Sequence, residues 1–597
     1  VLGQQARHHR TLDAVKSAVR VGAALSLLAL LFVHVQPAMG LQPPTVPPSE
    51  EICGSAVLNN GPSSPPGGAV TVPAGDNSAM FNNPLPANTT YWFAPGTHTL
   101  LTGTFGIYLA INPGNNDILE GAPGAVLDGE NYNLFAVGGT STGVTVEYLT
   151  IQDFHTPGAE GAVNTDAAPG WTIQYDTLQD MVPGVAVYLG TDNLMQYSCI
   201  TQNGQTGFGT YTTIDTSPVT SGASNITIVN NEISYNDTCN WEVVPNFPIT
   251  PPSGCTGAGQ FVGCGCSGAG KYFLVDGGLF ADNYVHNDYS AGPWWDTNNT
   301  AMTITGNYVA DEFADGLIYE ISYNGLISGN IFVDNAWGSG AIGGFPYSAI
   351  YISESGADSR VPGLYGSQFL ITGNQMFDNW GGIILWEDAN RYCNAIPGQP
   401  ECPIASPVAT QQNCSLHPTP RPPSRQVSAP APPGRRTTGR GGTSSGQNFS
   451  VLLNTTPYIN DCRWRTQNVQ VTGNMMSFTP AGIGPACTTG NLCGFSGLFS
   501  DPGIPGTPYA GSYVENNITY QQANVFSVNT YCGPWSWDTF SLGNTVNFAA
   551  WRAAPSGQDA GSLYDSTASS QACNPPPPQT SRNPVNRAVT IPIRAGR

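Results

Sequence analysis

Three stretches decide the fold: MTITGNYVAD (302–311), GLISGNIFVDN (325–335) and FLITGNQMFDN (369–379). Each is a short alternating strand, a Gly-Asn step and a second short strand. The pattern recurs, less regularly, in VTVEYLTIQD (144–153), WTIQYDTLQD (171–180), ITIVNNEISYN (226–236), VQVTGNMMSF (469–478) and YVENNITY (513–520). With the Asn of the step as marker, Asn283, Asn307 and Asn330 are 24 and 23 residues apart, Asn330 and Asn374 are 44 apart, and Asn374 and Asn474 are 100 apart. The spacing is one coil of a repeat, lengthened by insertions. A unit of this size cannot bury its apolar face alone, so stacked coils must share one aliphatic core, with parallel strands about 4.8 Å apart. The repeated Asn suits the bend between two strands, where its amide can stack as a ladder and satisfy backbone groups.

In this pattern the chain resembles the right-handed parallel β-helix proteins of the pectate-lyase-like superfamily. The resemblance covers roughly residues 86–530 and includes an entry segment, TTYWFAPGTHTL (89–100) followed by ILEGAPGAVLDG (118–129). It implies an all-β fold, a single-stranded right-handed parallel β-helix with loop insertions. Members are mostly secreted or surface proteins acting on polysaccharides as lyases, hydrolases or epimerases, alongside non-catalytic adhesins and tail spikes. The resemblance therefore leaves the chemistry open. Asn164-Thr165-Asp166 matches the first motif of the polygalacturonase-type hydrolases, but their later motifs have no counterpart, so the match is read as chance. No family catalytic residue can be carried over.

Composition narrows the partners. Nineteen Lys and Arg against 40 Asp and Glu leave a net charge of −21, and between residues 50 and 400 only Lys271, Arg360 and Arg391 are basic. Nucleic acid is excluded as a partner on this ground, and polyanions are disfavoured. Arg7, Arg10, Lys16 and Arg20 precede the apolar run Val21 to Val35 and the small-x-small site Ala38-Met39-Gly40, a pattern expected of a secretory signal peptide. An uncleaved anchor is the alternative, although the run is short for a span. No later segment is expected to cross a membrane. The 14 cysteines are then expected to form disulfides in an oxidising compartment, with zinc ligation as the alternative.

The expected organisation is a signal peptide over 1–40, a linker or cap over 41–85, the β-helix over 86–545, a C-terminal cap over 546–573 and a disordered tail over 574–597. Two insertions interrupt the helix: a Cys-rich one at 237–270, with which Lys271 is grouped, and a basic, Pro-rich one at 415–447 that is expected to be disordered.

A carboxylate pattern supplies the candidate site. Thirteen residues after markers Asn283, Asn307 and Asn374 stand Asp296, Glu320 and Glu387, ending the similar strands PWWD, LIYE and ILWE. Glu354, in AIYISES, joins them if an eleven-residue insertion is allowed. The four acids are expected to line one face of consecutive coils. Asp296, Glu320 and Glu387 are the candidate catalytic residues; Trp294, Trp295, Asn298, Asn299, Tyr319, Tyr351, Glu354 and Trp386 are the candidate substrate-binding residues. Acids supply proton transfer, rings stack on sugar C–H faces and amides bind hydroxyls. The opposing reading is a polar rung whose aromatics pack on one another. Acids on adjacent coils, about 5 Å apart, match a retaining glycosidase. The same oxygens could hold calcium, the one cofactor considered. The expected partner is a polysaccharide or cell-surface glycan, met by a secreted or cell-surface monomer; a non-catalytic glycan-binding solenoid and a calcium-dependent lyase are the alternatives to hydrolysis.

Overall fold

The computed structural model describes residues 51–101, 108–165, 168–210, 223–241, 247–255, 268–296, 299–357, 368–388, 466–501, 518–520, 522–539 and 544–567. The expected signal peptide, basic insertion and C-terminal tail lie outside them. Each coil gives one strand to each of three sheets, as in Asp276–Ala281, Tyr284–His286 and Pro293–Asp296, followed by Thr300–Thr305, Tyr308–Ala310 and Leu317–Glu320. Among the described residues the sheets contain 13, 14 and 12 strands. All ladders are parallel except the last, where Ser536–Asp538 meets Thr545–Val546 antiparallel. The protein is a right-handed parallel β-helix. No helix among the described residues is long and apolar enough to cross a membrane.

Alternation along each strand sends one side chain inward, and the register stacks these into columns. In the first sheet Ile228, Phe280, Ile304, Ile327, Ile371 and Val471 are successive register partners, and none is more than 1% exposed. In the second sheet Ile233, Val285, Val309, Phe332 and Met376 form the equivalent column. Each such side chain contributes about 1.5–3 kcal/mol by leaving water.

The Gly-Asn step has a two-part explanation. The residue before each marker lies in the left-handed region, with φ of 69° at Gly306, 64° at Gly329 and 65° at Gly373, which glycine adopts without strain. The marker then closes a ladder. Asn283, Asn307, Asn330 and Asn374 each donate backbone N and Nδ2 to Oδ1 of the next marker, and Asn474 donates both to Oδ1 of Asn529, all at 2.9–3.1 Å; Asn529 and not the Asn-Asn step of YVENNITY, which lies outside the described residues, continues the ladder. A second ladder runs along the corner after the second sheet, through Asn203, Asn236, Asp288, Glu312, Asn335 and Asn379.

The sheets extend beyond the expected limits of 86 and 545, from Val70–Val72 to Leu563–Asp565. These outer strands lack the Gly-Asn step, so the repeat pattern did not reveal them. Helix Phe548–Arg552 is capped by Asn547 and buries Trp551, whose ring centroid is 5.5 Å from that of Phe526. Three disulfides join described cysteines: Cys53–Cys199, Cys239–Cys255 and Cys487–Cys493.

Candidate functional site

The third sheet brings one predicted pair together. Asp296 and Glu320 are register partners on adjacent parallel strands, so their Cα atoms stand about 4.8 Å apart. Trp295 and Tyr319 point into the core, so the acids that follow them point outward. Each acid is 6% exposed. The preceding strand, Gly268–Phe273, adds a residue that sequence reasoning had grouped with the Cys-rich insertion. Lys271 pairs with Trp294, its Nζ lies 2.9 Å from Asp296 Oδ2, and the same atom sits 4.2 Å from the centre of the Trp294 ring. Parity held the signal for it: Lys271-Tyr272-Phe273, Trp294-Trp295-Asp296 and Ile318-Tyr319-Glu320 align residue for residue, and the central aromatic of each is buried.

The other two acids do not join the row. Glu320 pairs with Ser353, and Ser353 pairs with Trp386, which leaves Glu354 and Glu387 one residue out of register. Ser353 lies 23 residues after Asn330, ten more than the 13 from Asn307 to Glu320, so the insertion containing helix Trp337–Ile342 has ten residues rather than eleven. At Glu387 the turn is shorter: three residues separate Asn379 from strand Ile383–Asp388, where four separate Glu312 from Leu317–Glu320. Glu387 turns inward, 2% exposed, and accepts from Thr466 N at 3.0 Å and from Gln522 Nε2. Glu354 occupies a left-handed corner position with φ 43°, is fully buried and accepts from Ser353 Oγ. Both acids hold the coil together.

Most of the predicted binding residues are also interior. Trp295 stacks between Tyr272 and Tyr319, with ring centroids 5.0 and 6.0 Å away, and all three rings are buried. Asn299 is a buried corner rung that accepts from Val275 N and donates to Ser322 Oγ. Tyr351 and Trp386 face outward but lie in a buried apolar cluster with Ile318, Ile384 and Phe499. Trp294 is outward and partly exposed. Asn298 lies outside the described residues.

What remains is a compact cluster of Lys271, Trp294, Asp296 and Glu320. Calcium does not fit it, because the Lys271 ammonium already neutralises the Asp296 oxygen a cation would need. Among the described residues no three His, Cys, Asp or Glu side chains group as a metal site. The arrangement can hold a carboxylate against an ammonium with a second carboxyl one coil away, a set able to transfer a proton and to stabilise positive charge on a neighbouring carbon.

Two further acid pairs stand on adjacent coils and escaped the marker count. Glu120 and Glu147 are register partners on the outward face of the first sheet, where Glu147 accepts from Gln174 Nε2 at 2.7 Å; burial first, and the Glu147 charge second, raise the Glu120 carboxyl. That pair has an amide neighbour where Asp296 has an ammonium. Asp288 and Glu312 are ladder rungs inside the solenoid. Burial pushes Asp288 up to about 7, and burial with the Asp288 charge holds Glu312 well above the carboxylate range.

A family model described as a right-handed beta helix region matches residues 161–363. No curated protein sequence matches the chain. Among solved structures the chain is similar to the A-module of mannuronan C-5 epimerase AlgE4 of Azotobacter vinelandii, at 12% identity and a TM-score of 0.33 over 53% of this chain and 87% of that one. It is also similar to the catalytic unit of a GH87 α-1,3-glucanase of Streptomyces thermodiastaticus, at 11% identity and a TM-score of 0.32 over 55% and 64% of the two chains. A third is PfbA, a surface adhesin of Streptococcus pneumoniae, at 11% identity and a TM-score of 0.30 over 50% and 79%. The strand ladders and the family match fix the fold; these structural likenesses are too remote to assign a residue.

Proposed function

We propose that the protein is a secreted or cell-surface β-helix protein that acts, as a monomer, on a neutral or weakly charged polysaccharide, by glycoside hydrolysis at the Lys271–Asp296–Glu320 cluster. The observation that carries this reading is the outward, in-register pair Asp296 and Glu320, with the Lys271 ammonium against Asp296. Two carboxyls at one strand spacing match the roughly 5–5.5 Å of retaining glycosidases. Asp296, positioned by Lys271, meets the anomeric carbon, Glu320 is the proton donor to the leaving oxygen, and Trp294 offers a ring to the sugar. Disulfides among the described residues support an oxidising compartment.

Reducing-end release across a panel of neutral polysaccharides tests the assignment. Glu320→Gln is expected to lower turnover by at least about a hundredfold, the usual contribution of a positioned acid. Equal release by variant and wild type would remove the site. The second reading, a solenoid that binds glycan without cleaving it, is favoured by the burial of the cluster, where Lys271, Asp296 and Glu320 are each 6% exposed or less. It expects saturable binding with no new reducing ends.

A further inference from the structure

We infer that a second ligand site, for a neutral saccharide, lies on the outward face of the second sheet beneath an N-terminal strap. It stands on a different sheet from the acid cluster and does not rest on the proposed hydrolysis. Residues 51–59 cross this face and are tied down at one point by the Cys53–Cys199 disulfide and by Glu232, whose Oε2 accepts from Ile52 N at 2.7 Å and Cys53 N at 2.8 Å. Between strap and sheet is a cleft of about 450 Å³. That volume falls within the roughly 300–1,000 Å³ of small-molecule sites.

The floor spans four coils and is made of neutral hydrogen-bonding groups: Thr150, Thr177, Gln179, Thr201 and Ser234. Across the coils these groups repeat at about 4.8 Å, and along a strand at about 6.6 Å, twice the rise per residue. Ser55 and Asn59 face them from the strap, and Tyr235 stands at one end. The polar character is local. Further along the same sheet the outward face turns apolar, with Tyr284, Tyr308, Ala310, Ile331 and Phe377 packed together.

The groups select the ligand. Hydroxyls and a primary amide both donate and accept, as sugar hydroxyls do. Glu232, the one acid among the described residues that line the cleft, is engaged by the two strap N–H groups and by His286 Nε2 at 3.1 Å, so it is committed to holding the strap. Among the described residues no basic side chain lines the cleft to hold an anion, and the chain's net charge of −21 repels polyanions. A neutral oligosaccharide fits this chemistry.

Calorimetric titration of the full chain with neutral gluco-, manno- and galacto-oligosaccharides tests the site, in a Glu320→Gln background so that cleavage cannot consume the ligand. One class is expected to bind, and Thr177→Val and Gln179→Leu are each expected to weaken it about tenfold, the factor that 1.4 kcal/mol represents. Asn59→Ala, on the exposed strap, provides a variant that leaves the core untouched and is expected to weaken binding severalfold. Binding of none of the three classes, or wild-type affinity in Gln179→Leu and Asn59→Ala, would overturn the inference. A failure of Glu320→Gln to lower hydrolysis bears on the third-sheet cluster alone.

Discussion

Replacing Asp288 by Asn should stabilise the protein at neutral pH and flatten its response to acid. Asp288 occupies a ladder position that is Asn in four of the neighbouring coils, at Asn203, Asn236, Asn335 and Asn379. Its Oδ1 does what an amide oxygen would do, accepting from Asn236 N at 2.7 Å and Asn236 Nδ2 at 2.8 Å. Its Oδ2 stands where the amide nitrogen would be. In the Asn rungs that nitrogen reaches the strand carbonyl of the preceding coil, Val309 O for Asn335 and Phe332 O for Asn379, both at 2.9 Å. Among the described residues Asp288 Oδ2 is buried with no hydrogen-bond partner.

Burial raises the Asp288 carboxyl to about 7, against the downward pull of the Asn236 donors and His286. The unfolded chain titrates near 3.9, so the shift is about 3 pH units, or about 4 kcal/mol at 1.36 kcal/mol per unit. The folded state holds a proton that the unfolded state releases first, so this contribution is complete below about pH 4 and is lost as pH rises through about 7. Glu312 on the next coil shifts in the same direction, so the wild type should lose stability over this window more steeply than Asp288 alone requires. Urea unfolding of wild type and Asp288→Asn between about pH 4 and about pH 8, with exchange protection at the Asn236 and Asp288 amides as a local readout, measures the difference. The variant should gain little at the acid end and about 4 kcal/mol at the neutral end. A difference that does not change with pH would refute the argument, because it would mean that Asp288 is ionised in the ladder.

Other perturbations give separate signatures. Asn307→Ala orphans the buried Asn283 N–H and removes a donor to the Phe280 carbonyl, and should destabilise by roughly 3–5 kcal/mol, seen as lost exchange protection centred on the coil that holds both. Replacing both Cys53 and Cys199 by Ser opens a crosslink between residues 146 apart, and loop-closure entropy puts the loss at up to about 5 kcal/mol in the unfolding midpoint under non-reducing conditions. Lys271→Met removes the ammonium 2.9 Å from Asp296 Oδ2 in a nearly dry position and should cost about 3–5 kcal/mol, with Lys271→Met/Asp296→Leu recovering most of it in a double-mutant cycle.

The architecture was open to sequence reading because the corner chemistry is written in the chain. A left-handed residue followed by a ladder amide favours Gly or Asp before Asn at a fixed place in a coil, so Gly306-Asn307, Gly329-Asn330 and Asp334-Asn335 announce themselves, whereas Tyr235-Asn236 and Val528-Asn529 do not. The site was legible only where coil length stays constant. Counting from the marker placed Asp296 and Glu320 correctly, since both coils have four residues in the turn before the third sheet, and failed at Glu387 when that turn lost one. One residue of slip moves a side chain from the outer face to the core. The aromatics were misread for a related reason. In PWWD and LIYE the residue beside an outward acid must face inward, so Trp295 and Tyr319 could not also meet a sugar.

The same corner logic sorts the carboxylates of the chain by what they can do. A coil offers an acid a place as a ladder rung, at a corner, at an inward strand end or on an outward strand position. Asp176, Asp288 and Glu312 are rungs, where desolvation favours the protonated form and the group replaces an amide. Glu354 sits at a corner and Glu387 at an inward strand end, both spent on internal hydrogen bonds. Outward strand positions alone leave a carboxylate facing outside groups, and Glu120, Glu147, Glu232, Asp296 and Glu320 are among the acids that hold them. Of these, Glu232 is committed to the strap and Glu120–Glu147 has an amide for a neighbour, whereas Asp296 meets an ammonium. Two carboxyls one strand apart with an ammonium beside them are an arrangement that can divide acid from base. That ammonium beside the pair, rather than acid content or aromatic content, is why we propose chemistry on the third sheet and binding without chemistry on the second.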